Sequence, residues 1–495
     1  MDRTRSEFLV NILFLIFINL LIKPFYIFGI DRAVQIQVGK EQYGLYFFLF
    51  NFAFLFQIIN DFGIQNYNNR HLAQYRHLLD KFLPNVLALK LLLGLIFFGA
   101  LFGAAWLMQF PSQYYHLLLF LALNHFLNSY LLYVRSNISS LGFYRLDSML
   151  SVLDKILLIP LCGFLLWSPL TRGQFRIEWF AYAQTLTVAI TLALALAITW
   201  RRFRNRKFKV NRPLLVFLLR ESWPYALSFF LMLLYSRVDT LMLERLLPKA
   251  AGTAEVGIYA GGFRLLDAFN MLGFLFSTLL IPMFSRQLKA GQDVKPLFMQ
   301  SFQMVWAGAW SAVAAIFFFR TEIASWLYAP EADAYWGEVL GYLMLNFIPI
   351  SLLYVMGPLL LAQGAVRDMN KLYAISVVVN ITLNLLLIPP LKALGAAYAT
   401  GLTQFGVLAA QWWLLRRQGL ISIQAGGVLK LTAFVAVALL LGGAIHAYSL
   451  YHIQAWQLLF LICMVLCLLS GLLMGLIDRK ELAALTGRLG KRGGD

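Results

Sequence analysis

Phe8-Leu-Val-Asn-Ile-Leu-Phe-Leu-Ile-Phe-Ile-Asn-Leu-Leu-Ile-Lys-Pro-Phe-Tyr-Ile-Phe-Gly-Ile30 is an apolar run broken by a single charge, Lys23. Its length matches the roughly 20 residues that an α-helix needs to cross a hydrocarbon core. No small-residue cleavage site follows it, so it reads as a retained first span rather than a signal sequence. Runs of the same kind recur near 43–63, 84–108, 116–134, 148–168, 178–200, 222–243, 257–284, 301–319, 337–362, 372–389, 395–415, 426–448 and 455–478. They are continuous rather than alternating, which excludes a transmembrane β-barrel. The expected fold class is an all-α membrane protein of about 14 transmembrane helices.

Composition agrees with the runs. Of 495 residues, 60% are hydrophobic and 13% are charged, and the mean hydropathy is +0.71. A soluble domain carries about 25% charged residues. The net charge is +18. In a chain this apolar, basic residues flank spans and face anionic headgroups, so membrane lipids are expected partners and nucleic acid is not. Cys162, Cys463 and Cys467 all fall inside apolar runs and read as small hydrophobes. The longest polar segment, Arg201–Arg220, leaves no room for a soluble catalytic domain. No phosphate loop, zinc-protease motif or nucleophile elbow is present. The chain reads as a transporter and not an enzyme, with no metal and no cofactor.

Lys and Arg in short loops set the orientation. With the N-terminus inside, every inner segment carries at least two of them, from Arg3 and Arg5 to the group after Arg479. Those segments hold roughly three times as many as the outer loops. The chain is therefore expected in a bacterial or archaeal cytoplasmic (inner) membrane, multi-pass, with both termini cytoplasmic.

Several motifs occur twice in the same order. Gly44-Leu-Tyr46 returns as Gly257-Ile-Tyr259, an offset of 213. Leu131-Leu-Tyr-Val134 returns as Leu352-Leu-Tyr-Val355, and Ala181-Tyr-Ala-Gln-Thr-Leu-Thr187 as Ala397-Tyr-Ala-Thr-Gly-Leu-Thr403. The offset covers six spans, an even number, so the two copies share one orientation and a pseudo-two-fold axis along the membrane normal. The domain reading is an N-terminal six-helix lobe over 1–200 and a basic cytoplasmic connector over 201–221. A C-terminal six-helix lobe follows over 222–417, then extra helices 13 and 14 over 426–478 and a cytoplasmic tail over 479–495.

Six cations fall within spans: Lys23, Lys90, Lys155, Arg237, Arg264 and Lys430. Each costs about 2.5–3.5 kcal/mol at mid-span. Lys90, Lys155 and Lys430 lie toward the inner ends, where long side chains snorkel to headgroups. Lys23 and Arg237 lie deeper, 214 residues apart, at matching depths in the first helix of each lobe. With Arg264, and with Lys155 as a fourth member, they form a candidate cationic cavity for substrate, suited to phosphate. Arg264 also has Asp267 at i+3, which fits a structural ion pair. Asp61, Asp154, Asp239 and Asp267 are the acids within or at the ends of spans and so the candidates for ion coupling. Asn11, Asn19, Asn51, Asn124, Asn128, Asn270, Asn380 and Asn384 fit interhelical hydrogen bonds, or contacts to sugar hydroxyls.

Val38-Gly-Lys-Glu-Gln-Tyr-Gly-Leu-Tyr46, followed by Asn60-Asp-Phe-Gly63, resembles the first-loop and second-span pattern of polysaccharide-biosynthesis flippases. These belong to the multidrug/oligosaccharidyl-lipid/polysaccharide (MOP) exporter superfamily. Ala254-Glu-Val-Gly-Ile-Tyr-Ala260 is similar to the second-lobe version, and Gly395-Ala-Ala-Tyr-Ala-Thr400 to the start of the twelfth span. The resemblance implies the MATE-like MOP fold. It also implies flipping of undecaprenyl-pyrophosphate-linked oligosaccharide for O-antigen, capsule or exopolysaccharide, coupled to H+ or Na+, beside glycan-assembly enzymes. Two other readings stand in the same superfamily. Lipid II flippases have an Arg–Asp arrangement in span 1 and an Arg in span 2, where this chain has only Lys23 and no cation. Multidrug/cation antiporters have twelve spans.

Overall fold

The computed structural model describes residues 17–64, 79–140, 143–171, 173–202, 212–421, 425–452 and 455–477. Asn11, the tail over 479–495 and residues 203–211 of the basic connector lie outside the described residues. All described elements are helices. In hydrocarbon each backbone N–H and C=O must find its partner inside the segment, and a helix does this locally.

The chain is helical from residue 17 into a π-helical turn, Tyr26–Asp31, and then α1, Arg32–Leu55. The outer loop expected between spans 1 and 2 is mostly helix. The chain breaks at Gly39 (φ 80°), a conformation that costs glycine little. A short α2, Gln57–Asp61, ends span 2, and Phe62 and Gly63 both take positive φ to close it. Then follow α3 (Leu79–Leu107), α4 (Ser112–Ser140), α5 (Tyr144–Trp167), α6 (Ile177–Arg202), α7 (Arg212–Leu246), α8 (Lys249–Lys289), α9 (Lys295–Phe318), α10 (Arg320–Tyr328), α11 (Ala334–Leu345), α12 (Phe347–Gln363), α13 (Val366–Arg417), α14 (Ala425–Ser449) and α15 (Trp456–Leu473).

Among the described residues, eleven helices are long and apolar enough to cross a membrane. One of them, α13, holds two expected spans, divided by non-helical Lys392 (φ 53°) just after Pro389 and Pro390. Glu255 of α8 caps this break: its carboxylate accepts from Ala393 N at 3.2 Å and lies 3.7 Å from Lys392 Nζ. Expected spans 8–30 and 43–63 fall on the stretches before and after Gly39, outside those eleven. Leu95, Leu386, Leu440 and Leu473 are all well exposed. That suits lipid as the surrounding solvent and would be costly in water.

The helices form two compact units. The first comprises residues 1–260 and 373–396, and the second 261–372 and 397–495. In the first unit the two repeated glycines meet. A methyl on Gly44 would lie 1.8 Å from Thr253 O, and one on Gly257 would lie 2.1 Å from Lys40 O. Gln35 Nε2 donates to Gly257 O at 3.0 Å beside them. The repeat also has matching contacts within each unit. Phe120 and Tyr182 pair with ring centroids 4.3 Å apart in the first, and their counterparts Tyr342 and Tyr398 at 4.7 Å in the second. Also in the second unit, Glu322 of α10 holds His446 of α14 at 3.1 Å, which pins an extra helix to the repeat.

Candidate functional site

Three polar clusters lie in the first unit. In the first of them, α7 supplies Arg237 and Asp239, two residues apart and therefore on different faces. Asp239 is fully buried. Its carboxylate accepts from Tyr259 OH of α8 at 2.9 Å and from Asn384 Nδ2 of α13 at 2.8 Å. The same Asn384 amide donates to Asn380 Oδ1 at 3.0 Å, while Asn384 Oδ1 is buried without a hydrogen-bond partner. A carboxylate, two amide oxygens and a phenol in a dry setting are hard oxygen donors, the set that suits a small cation or a proton. Arg237 faces elsewhere: Nη1 reaches Asn51 Oδ1 at 3.4 Å, and the guanidinium lies 5.9 Å from the Phe54 ring.

The second cluster surrounds Asp31, 1% exposed at the end of the π-helical turn. Tyr43 OH donates to it at 2.5 Å and Tyr26 OH at 3.5 Å. Gln184 of α6 ties both sides together, donating to Tyr26 OH at 3.1 Å and accepting from Tyr46 OH at 3.0 Å. Lys155 of α5 sits 4.7 Å over the Tyr26 ring and pairs with Asp154 at 3.1 Å. Lys23 is half-buried, and Arg135, Asp154 and Lys155 are the charges that act on it. Asn19 Nδ2 donates to Ser151 Oγ at 3.0 Å, which holds span 1 on α5.

The third cluster corrects an expectation. Lys90 does not snorkel. It is fully buried, 2.9 Å from Asp61 and 2.6 Å from Ser129 Oγ, with Asn60 O at 3.5 Å. Lys430, by contrast, is only half-buried and donates to Gly475 O at 2.7 Å.

The predicted site residues therefore distribute as follows. Lys23, Lys155 and Asp154 share one neighbourhood, Arg237 and Asp239 belong to another, and Asp61 belongs to the third. Arg264 and Asp267 lie half-buried on the part of α8 that belongs to the second unit. Asp31, Tyr26, Tyr43 and Gln184 were not singled out from the sequence. The duplication carried the signal for Asp31, because Asp31-Arg32 recurs at the same offset of 213 as Glu244-Arg245. Glu244 is also buried, and it pairs with Arg245 at 3.1 Å.

The family model described as polysaccharide biosynthesis protein matches residues 8–288, more than half of the chain. The chain belongs to the polysaccharide biosynthesis protein family. A second family model, lipid II flippase MurJ, matches residues 265–467. Among solved structures, a lipid II flippase MurJ in an inward closed conformation aligns with this family member at a TM-score of 0.72 and 12% identity. That alignment covers 94% of this chain and 98% of the other. Two multidrug resistance MATE family transporters of the MOP superfamily, one inward-facing and one outward-facing, align at TM-scores of 0.59 and 0.58. Their identities are 14% and 16%, over 82% and 83% of this chain and 98% and 96% of theirs. At such identities the likeness speaks for the fold, and the fold is that of the MOP superfamily. A comparison with curated proteins found no match by sequence.

Proposed function

We propose that this polysaccharide biosynthesis family member is a flippase. It moves undecaprenyl-pyrophosphate-linked oligosaccharide across the cytoplasmic membrane by alternating access, for O-antigen, capsule or exopolysaccharide synthesis. The observation that carries this reading is the family match over residues 8–288. The intramembrane cations support it, since phosphate is a bidentate partner for Arg237 and Arg264 and a point-charge partner for Lys23 and Lys155. The excess of Lys and Arg in the inner loops supports a cytoplasmic position for both termini. The test is translocation of a pyrophosphate-linked glycolipid by the purified chain in proteoliposomes. Lys23→Ala, Arg237→Ala and Arg264→Ala are each expected to lower the rate about tenfold at equal folded protein. Three fully active variants would sink a substrate role for these cations, and efflux of organic cations without glycolipid transfer would sink the flippase.

Asp239 is the acid we assign to ion coupling. It is fully buried among a phenol and side-chain amides, whereas the side chains of Asp61 and Asp154 are partly exposed. Asn at this position still accepts from Tyr259, so packing survives while the charge is lost. Asp239→Asn is expected to cut flipping driven by a Na+ or proton gradient about a hundredfold, the equivalent of a lost intramembrane charge interaction. Unchanged gradient-driven transport would remove Asp239 from the coupling site.

A second reading is a lipid II flippase, favoured by the MurJ family match over 265–467. Offering lipid II and an O-unit-linked pyrophosphate lipid to the same vesicles separates the two by which is transferred faster.

A further inference from the structure

Lys155 and Lys90 are held in different ways. The Lys90 ammonium meets Asp61, Ser129 Oγ and Asn60 O, three oxygen acceptors for its three N–H groups. Among the described residues the Lys155 ammonium meets one oxygen acceptor, Asp154 at 3.1 Å, and rests 4.7 Å over the face of Tyr26. An aromatic face stabilises an ammonium through its quadrupole and brings no negative charge to cancel it. Lys155 thus keeps donor capacity for an anion that Lys90 has already spent.

Tyr26 is itself fixed. Its hydroxyl accepts from Gln184 Nε2 at 3.1 Å and reaches Asp31 Oδ1 at 3.5 Å, and Gln184 accepts from Tyr46 OH at 3.0 Å. Tyr26, Asp31, Tyr46 and Gln184 are all buried, so the ring has one seat. The π-helical turn makes the arrangement possible. Tyr26 and Asp31 are five residues apart and would point to different faces of an α-helix. The wider i→i+5 turn brings them toward one side. The neighbouring cations complete the setting. Lys23 feels Lys155 and Asp154, and Arg135, which also acts on it, is paired with Asp147 at 2.8 Å.

We propose that Tyr26 is a positioning residue whose ring holds the Lys155 ammonium in place for the pyrophosphate of a lipid-linked substrate. The inference rests on the substrate role given above to Lys155. A phosphate oxygen competes with Asp154 for the ammonium, and the ring keeps the ammonium seated through the exchange. Gln184 and Asp31 act one step further back, by holding the ring.

The probe is inorganic pyrophosphate, titrated calorimetrically onto the detergent-purified full chain. Tyr26→Leu is expected to weaken its binding about tenfold, the value of a desolvated cation–π contact. Tyr26→Phe keeps the ring but loses its anchors, and about threefold weaker binding is expected. In a Lys155→Met background neither change should weaken binding further, because nothing is left to position. A purely structural role would give the same loss in both backgrounds. Such equal losses, wild-type binding by Tyr26→Leu, or a wild-type chain that binds no pyrophosphate each overturn the inference. Where Tyr26→Leu fails to fold, Tyr26→Phe carries the test, and wild-type binding by it then overturns the inference. Glycolipid transfer in proteoliposomes keeps the flippase reading separate. Pyrophosphate binding that depends on Tyr26, without any transfer, sinks the flippase alone. Transfer with an unchanged apparent KM in Tyr26→Leu sinks the positioning role alone.

Discussion

Asp61→Asn is expected to destabilise the folded protein by about 3–5 kcal/mol, the cost of leaving a buried charge without its partner. The cost falls on Lys90. Its ammonium is fully buried, and without Asp61 the partners set out above are Ser129 Oγ at 2.6 Å and Asn60 O at 3.5 Å. The reverse change is milder. Lys90→Met removes the buried ammonium and leaves Asp61, whose side chain is 22% exposed and can be hydrated. About 1–3 kcal/mol is expected there. The double variant carries neither charge and should recover most of the loss, which gives a coupling of about 2 kcal/mol or more between the sites. Thermal unfolding of the detergent-purified chain, followed by the monodisperse fraction after heating, measures all three. An Asp61→Asn protein that unfolds with the wild type, or a double variant worse than the sum of the singles, contradicts this account.

The same pair shows what the sequence could and could not tell. Position along a span gives an expected depth, and for Lys90 that expectation is the inner part of its span. Depth says nothing about azimuth, and azimuth decides whether a lysine meets headgroups or a carboxylate. Lys430 and Lys90 look alike in sequence, yet one is half-buried and the other is among the largest fully buried side chains. Lys23 and Arg237 matched in depth through the repeat, but Lys23 sits among Asp154 and Lys155 while Arg237 meets Asn51 and Phe54. The helices themselves were legible because lipid forces long continuous apolar runs. The first outer loop was not, because one glycine at residue 39 does the work expected of a dozen residues. The amides were read correctly in kind only. Asn384 and Asn19 bond between helices, whereas Asn128 bonds to Asn124 on its own helix.

Gly44→Ala and Gly257→Ala are expected to be among the most damaging small-for-small changes at the described residues. Added methyls would sit 1.8 Å and 2.1 Å from backbone oxygens of the facing helix, where no side chain can rotate away. The two helices would have to separate, at a cost at or above the upper end of the overpacking range, about 3 kcal/mol each. Small residues let helix backbones approach this closely in a membrane, where Cα–H···O contacts and dispersion hold them together. Gly103 provides the control. It lies in the interior of α3 with nothing within 4 Å of an added methyl, so Gly103→Ala should be neutral or stabilising by up to about 1 kcal/mol through helix propensity. The double variant Gly44→Ala/Gly257→Ala should cost less than the sum. Both methyls clash in one interface, and the separation that relieves the first relieves part of the second. Folded yield and unfolding temperature in detergent decide it. Wild-type behaviour of Gly44→Ala would mean that the two copies of the Gly-x-Tyr motif do not touch. Additive costs would mean that they touch at two independent places.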